Sequence, residues 1–356
     1  MDVVFQPKVS ICIPNYNYGQ YLSQAIESAL SQTYENLEII ITDNASTDNS
    51  MQVLEQYRSN PKVKIFRNAE TVSIAENHNM AFSHATGDYI CLLSSDDLLL
   101  PKFVERTLKV YEKYDGDQYN IGLVMAEKDL IDADGKKTHF VPFYPGSFVC
   151  KGEKQARVCM MGNPGQPSLW LFKRAAFEKV GGFKSIYGTA HDWGFIFDVC
   201  FIFDFAYLNE KLCLYRKHEN ISSKSVVNLR YPCDIHLLKL DITAKAAQNA
   251  YLAQYIEESL RRTSTNAVKF GMEALRTKNY IPARRYLTFA QVFDETIVNT
   301  PVYKALDYSL SSNFETPEKV FNMLENQLEL LKPRKEPYEY PDDVEMLNKD
   351  FQQILP

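Results

Sequence analysis

The sequence predicts an α/β fold, a mostly parallel sheet flanked by helices, followed by an α-helical C-terminal region. Three observations carry this. Short apolar runs alternate with amphipathic segments as far as about residue 126, the cadence of strand–helix–strand units. Three of those runs end in polar loops, near Pro14, Asp43 and Asp96. Parallel strands would bring the three ends to one sheet edge, where open α/β sheets bind ligands. After about residue 225 strand signals become rare and the pattern turns helical.

The elements follow in order. Lys8–Pro14 reads as a first strand stopped by proline. Gly19–Gln32 carries Leu22, Ala25, Ile26, Ala29 and Leu30 at helical spacing. Leu37–Thr42 is a second strand, and its polar exit feeds a helix over about 49–57. A third strand over 63–67, a helix over 73–85 and a fourth strand over 89–93 follow. Pro101 suits the first turn of a helix running to about Tyr114, and Ile121–Ala126 reads as a strand. Residues 127–165 are less regular, with a hairpin turn expected at Asp132-Ala133-Asp134-Gly135. Lys173–Val180 reads as a helix capped by Gly181; another starts near Asp192, and Phe205–Tyr215 is a strand. Ala267, Gly271, Ala274, Leu275, Tyr280, Ala283, Tyr286, Leu287 and Ala290 resemble one helix–turn–helix unit of a tetratricopeptide-like repeat. Lys332–Pro337 reads as an exposed linker before a short final helix.

Composition narrows the function. The 356 residues suit two domains, and a 45% hydrophobic fraction supports a real core. A net charge of -6 argues against a nucleic-acid surface, which needs a basic stripe. The seven cysteines form no C-x-x-C pair, which argues against a zinc knuckle or a redox motif, and several sit in apolar runs as reduced thiols would. The N-terminus lacks the charged and apolar regions of a signal peptide, and no stretch has the apolar length of a membrane span. The expected location is cytoplasmic, compatible with peripheral contact at the inner face of the membrane.

The most informative segment is Gly87-Asp88-Tyr89-Ile90-Cys91-Leu92-Leu93-Ser94-Ser95-Asp96-Asp97, an apolar strand ending in adjacent carboxylates. Two such groups repel unless a positive charge lies beside them. A divalent cation carrying a diphosphate supplies one, since hard cations choose oxygen ligands. The alternative is a solvated turn that caps the next helix.

The segments Ser10-Ile11-Cys12-Ile13-Pro14-Asn15-Tyr16-Asn17, Ala25–Tyr34 and Glu38–Asp48 resemble the opening of family 2 glycosyltransferases. The acidic strand end is similar to the D-x-D-bearing strand of that family. The likeness continues through Gln166-Pro167-Ser168, Gly181-Gly182-Phe183, His191-Asp192-Trp193 and Tyr215–Ser222, and covers roughly the first 225 residues in order. It implies a GT-A fold over 1–225, with a nucleotide-sugar-binding half (1–126) and an acceptor-binding half (127–225), ahead of a helical region over 226–356. It further implies an inverting enzyme using a nucleotide-sugar donor, UDP-linked by preference, with Mn2+ or Mg2+.

By the same resemblance, Pro14, Asn15 and Tyr16 lie against the nucleotide, and Asp43 accepts hydrogen bonds from base or ribose. Asn77 and Arg216 join the donor site, Asp97 is the principal metal ligand with Asp96 beside it, and Asp192 is the catalytic base. The chain departs from the family pattern at Ser94, where an aspartate is usual, and at Glu76, where many members carry arginine; Arg67 is a candidate substitute cation.

The chemistry suits these groups. A metal stabilises the charge gained by the departing diphosphate, and a carboxylate on the other face takes the proton of the acceptor hydroxyl. His218 completes the metal shell or contacts the diphosphate, or is a loop histidine bonded to backbone. Arg216 pairs with phosphate or with a local acid, Trp193 stacks on a sugar or anchors its helix, and Asp43 has an Asx-turn alternative. The expected acceptor is a glycan, glycolipid or glycoprotein hydroxyl in cell-surface polysaccharide synthesis, and the helical region is a candidate oligomer contact. Two alternatives remain at this point. One is a catalytically weak nucleotide-sugar-binding subunit. The other is a sugar nucleotidyltransferase, against which the absence of a Gly-rich, Lys/Arg-bearing loop after the first strand counts.

Overall fold

The structure is a computed structural model that describes residues 5–218, 230–311 and 337–351. Glu219–Ser222, which close the family-like segment, and the linker from Lys332 to Glu336 lie outside the described residues.

The first half is a run of strand–helix units: Val9–Asn15 (β1), Gly19–Leu30 (α1), Leu37–Asp43 (β2), Ser50–Glu55 (α2), Val63–Arg67 (β3), Ile74–Ser83 (α3) and Tyr89–Leu92 (β4). β1 and β2 are buried at every position, as continuous apolar strands covered on both faces must be. α1 buries its Leu22, Ala25, Ile26 and Ala29 stripe. α3 begins with a capping box in which Ser73 and Glu76 each accept the other's backbone N–H. Glu76 is therefore engaged at a helix start.

Next come Leu98–Leu99 (β5), Phe103–Tyr114 (α4), Ile121–Ile131 (β6), Lys137–Thr138 (β7), Phe148–Cys150 (β8) and Gly152–Met161 (α5). Trp170–Lys173 (β9), Arg174–Val180 (α6), His191–Ile202 (α7) and Asp204–Arg216 (β10) complete this part. β6 runs five residues past the expected end, and α5 lies where the sequence shows little regularity. The hairpin expected at Asp132–Gly135 joins β6 to β7. Gly181 ends α6 with φ 80°, a conformation glycine adopts without strain.

Arg230–Ala246 (α8), Ile256–Arg276 (α9), Tyr280–Phe293 (α10) and Pro301–Ser311 (α11) form the helical region. α9 and α10 pack as an antiparallel pair around Ala267, Leu275, Ala283, Tyr286 and Leu287. The chain then returns to the sheet through Glu345–Met346 (β11), and Leu347 and Phe351 enter the core of the first domain. A single 3-10 turn, Lys349–Phe351, stands where a short final helix was expected.

Among the described residues all strands belong to one mixed sheet in the order β11-β8-β10-β6-β9-β4-β1-β2-β3, with β5 on β10 and β7 on β6. β4-β1-β2-β3 are parallel, and so are β6 and β10. Register places Asn15 opposite Asp43, and β1 opposite β4 through Cys12 and Leu92. The polar loops after β1, β2 and β4 therefore open on one edge.

Candidate active site

The acidic pair sits just past β4. Asp97 is 1% exposed. Its Oδ2 accepts from the Ser168 hydroxyl at 2.7 Å and its Oδ1 from the Arg216 backbone N–H at 2.9 Å. Burial, and then the neighbouring Asp96, push this carboxyl above the ordinary range. Asp96 points the other way, its Oδ2 2.9 Å from His218 Nε2. The rings of Tyr18 and Tyr21 flank that imidazole at 5.6 and 5.0 Å. Asp97, the expected principal ligand, is buried with one protein donor on each oxygen, while Asp96 beside it contacts the His218 imidazole.

Arg216, expected in the donor site, turns inward. Rather than facing a donor phosphate, its 1%-exposed guanidinium is spent inside the protein. Nε donates to the Asp96 carbonyl at 2.9 Å, Nη1 to the carbonyls of Asp132 and Ala133, and Nη2 to Gln24 at 2.7 Å. The Tyr21 ring lies 4.5 Å below it. A buried cation must be fully engaged, and here it fastens the Asp96–Asp97 turn to the end of β10.

The loops after β1 and β2 are knitted together. Asn15 donates to Asp43 Oδ1 at 2.9 Å and to Ser46 Oγ at 3.2 Å, and Asp43 Oδ2 accepts from Ser46 N–H. Asn17, at φ 58°, accepts from Thr47 N–H at 2.8 Å. Asp43 is fully buried, with Arg67 Nε 3.6 Å away; Arg67 also donates to the Ser46 carbonyl. Pro14 and Asn15 are buried and Tyr16 is half-buried on this edge. Asn77 is buried, accepts from Asn68 and donates to the Thr42 carbonyl, tying α3 to the adjoining loop and β2.

Asp192 lies in the first turn of α7, half-buried. Oδ1 accepts from Trp193 N–H at 2.7 Å and Oδ2 from Asn163 Nδ2 at 3.2 Å. Burial raises its pKa, opposed by the adjacent His191 and these hydrogen bonds. The preceding turn is gripped by the helical region. Thr189 donates N–H and hydroxyl to Asp234 Oδ2, both at 2.8 Å, and Tyr187 donates to Asp241 at 2.6 Å. At Gly188, φ 49°, an added Cβ would sit 2.4 Å from the Asp234 carboxylate. Replacing Asp234 by Ala leaves two donors unpaired, a loss of about 1–3 kcal/mol. The expected outcome is a lower Tm and lower kcat with unchanged nucleotide affinity, read by thermal unfolding, kinetics and calorimetry.

Tyr215 lies near the end of β10. Burial raises its phenol pKa, and the charges of Asp97, Asp96 and Asp192 all raise it further. Lys128 lies nearby, buried, bonded to Gln166 and 5.0 Å over the Tyr215 ring; burial lowers its pKa. Sequence reading passed over Tyr18, Tyr21, Lys128, Asn163 and Tyr215 as site residues. The only signal for any of them was proximity to quoted motifs.

A carboxylate and an imidazole side by side form a donor set that fits a divalent cation whose other ligands are phosphate oxygens and water. Among the described residues no group of three His, Cys, Asp or Glu side chains is assembled to hold a metal by itself. No helix among them is long and apolar enough to cross a membrane.

Residues 10–181 match the family described as Glycosyl transferase family 2. EpsE of Bacillus subtilis is 30% identical over 185 residues, 51% of this chain and 62% of that protein. The glycosyltransferase GlyG of Streptococcus pneumoniae serotype 4 is 25% identical over 289 residues, 78% of this chain and 92% of that protein. The chain thus spans less than two thirds of EpsE. The crystal structure of S. aureus TarS 1-349 in complex with UDP-GlcNAc has a TM-score of 0.60 at 14% identity, covering 90% of this chain and 92% of that one. That likeness establishes the fold alone. Matched motifs, parallel sheet edge and shared architecture agree: residues 10–181 match family 2 glycosyltransferases within a GT-A fold, and a helical region follows.

Proposed function

We propose that this protein transfers a sugar from a nucleoside-diphosphate donor, UDP-linked by preference, to an acceptor hydroxyl with inversion, in the synthesis of a cell-surface glycan. The observation that carries the reading is the acidic turn Asp96–Asp97 on the sheet edge where the loops after β1, β2 and β4 open, with His218 2.9 Å from Asp96. In this reading the acidic turn serves the donor and Asp192, at the start of α7, serves the acceptor.

Asp96 and His218 would hold Mn2+ or Mg2+, which when bound offsets the charge gained by the leaving diphosphate. Ser168, Arg216 and buried Asp97 keep Asp96 aimed at that place. Tyr18 and Tyr21 wall the imidazole and exclude water from one side. Asp192 accepts the acceptor's hydroxyl proton on its carboxylate as the oxygen attacks, while Asn163 and Trp193 fix its orientation. A single base opposite the leaving group means one displacement and inversion. The use of UDP is supported by the likeness to a UDP-GlcNAc complex.

The raised pKa of Asp192 gives the pH dependence its sign. The group works as a base only when ionised, so kcat falls as pH drops through its pKa. The acid limb of the kcat profile is expected above the ordinary value of about 4 for aspartate. An acid limb at or below that value would contradict the assignment. Calorimetric titration with UDP tests the reading as a whole. Binding that strengthens on adding Mn2+ supports it, and no binding of UDP or GDP with or without Mn2+ would contradict it.

A further inference from the structure

A pocket of ≈ 260 Å³ lies between the N-terminal end of α7 and helices α8, α9 and α10, with neither Asp96 nor Asp97 in its lining. Its walls are rings: Trp193, Tyr231, Phe270, Tyr286, Phe289 and Phe293. No charged side chain lines it, and three lining residues carry amide or hydroxyl groups of another kind, Asn163, Thr263 and Asn266. Two of those three are already committed. Asn163 donates to Asp192 and accepts from Gly165 N–H, and Thr263 donates to the Ser259 carbonyl. Tyrosine hydroxyls apart, Asn266 on the exposed rim is what remains.

The pocket opens beside the proposed base. Asn163 belongs to its lining and hydrogen-bonds Asp192 at 3.2 Å, and Trp193 is the next residue. Tyr231 feels the charge of Asp192, which adds to burial in raising its pKa to about 12. Trp193 is fixed by its Nε1–H bond to the Cys159 carbonyl at 2.6 Å. Half-buried phenylalanines facing a preformed concavity are characteristic of ligand sites.

Resting on the transferase reading, we propose that this pocket takes the hydrocarbon part of a lipid-borne acceptor, whose hydroxyl is thereby presented to Asp192. A second sugar ring would bring several hydroxyls into a space with few partners for them, and burying unpaired hydroxyls is unfavourable. An alkyl or isoprenoid chain needs no partners and gains with each methylene it buries.

The test uses the full chain with UDP and Mn2+, titrated calorimetrically with methyl, butyl and octyl β-D-glucoside, the last below its micellar concentration. Affinity is expected to rise at least about tenfold from methyl to octyl, a small part of what full burial of seven methylenes allows. Asn266→Trp narrows the pocket from its exposed rim, and Phe289→Glu puts a charge among the rings. Each should remove the gain while UDP affinity stays at the wild-type value. Affinity independent of chain length, a gain that survives both variants, or maltose binding as tightly as the octyl glucoside would overturn the proposal. Loss of UDP binding with the gain retained would overturn the transferase reading instead, and leave the pocket's ligand class standing.

Discussion

Asp192→Asn is expected to lower kcat by about 10²–10⁴-fold, the range a positioned general base contributes. UDP affinity should not change, because the proposed role of Asp192 is toward the acceptor. The substitution is nearly isosteric. The amide oxygen still accepts from Trp193 N–H, and Asn163 can turn its own amide to suit. What is lost is the lone pair that takes the proton. Single-turnover kinetics beside UDP calorimetry separates the two effects. A fully active variant would remove the base from this position, and a variant that loses UDP binding would show that Asp192 belongs to the donor site.

Asp96→Asn is the second large effect, and it is informative beside Asp97→Asn. Removing one of two protein donors should weaken Mn2+-dependent UDP affinity by about tenfold or more, since even groups that merely orient a metal ligand contribute 10–100-fold. Asp97→Asn should weaken it far less. Its oxygens already serve Ser168 and Arg216 N–H, and an asparagine can still accept from the backbone while donating to the serine. Titration of both variants with UDP, with and without Mn2+, decides between the carboxylates. If Asp97→Asn is the more damaging, the outward role of Asp96 is wrong.

These residues show what a sequence displays and what it withholds. β1, β2 and β4 were legible because strands covered on both faces read as unbroken apolar runs. α1 was legible from its stripe, and the edge of polar loops followed from parallel pairing. The choice between Asp96 and Asp97 was not legible. The strand ends at Leu92, so the two-residue alternation that tells inside from outside has stopped before either aspartate. Arg216 misled for a related reason: backbone carbonyls are its main acceptors, and they leave no mark in sequence. α5 was missed because its buried Ala156, Cys159 and Met160 are interleaved with Glu153, Lys154 and Arg157, and no side chain caps its start. The two-residue strand β11 is too short to show a period.

The grip of α8 on the turn before Asp192 was equally invisible, since Asp234 and Asp241 look like ordinary solvent-facing acids of a helix. It gives the helical region a role that composition could not suggest. A helix outside the matched family segment holds the turn that delivers the proposed base, and the same region supplies most of the pocket beside it.

The account rests on one base placed across the sugar from the departing diphosphate. The stereochemistry of donor cleavage tests this most directly. An α-linked UDP-sugar that binds the protein is hydrolysed, or transferred to an acceptor, and the first product is observed by proton NMR before mutarotation. The β anomer should appear first. Initial formation of the α anomer would require a second displacement on the same carbon and would contradict the arrangement of Asp96, His218 and Asp192 set out above.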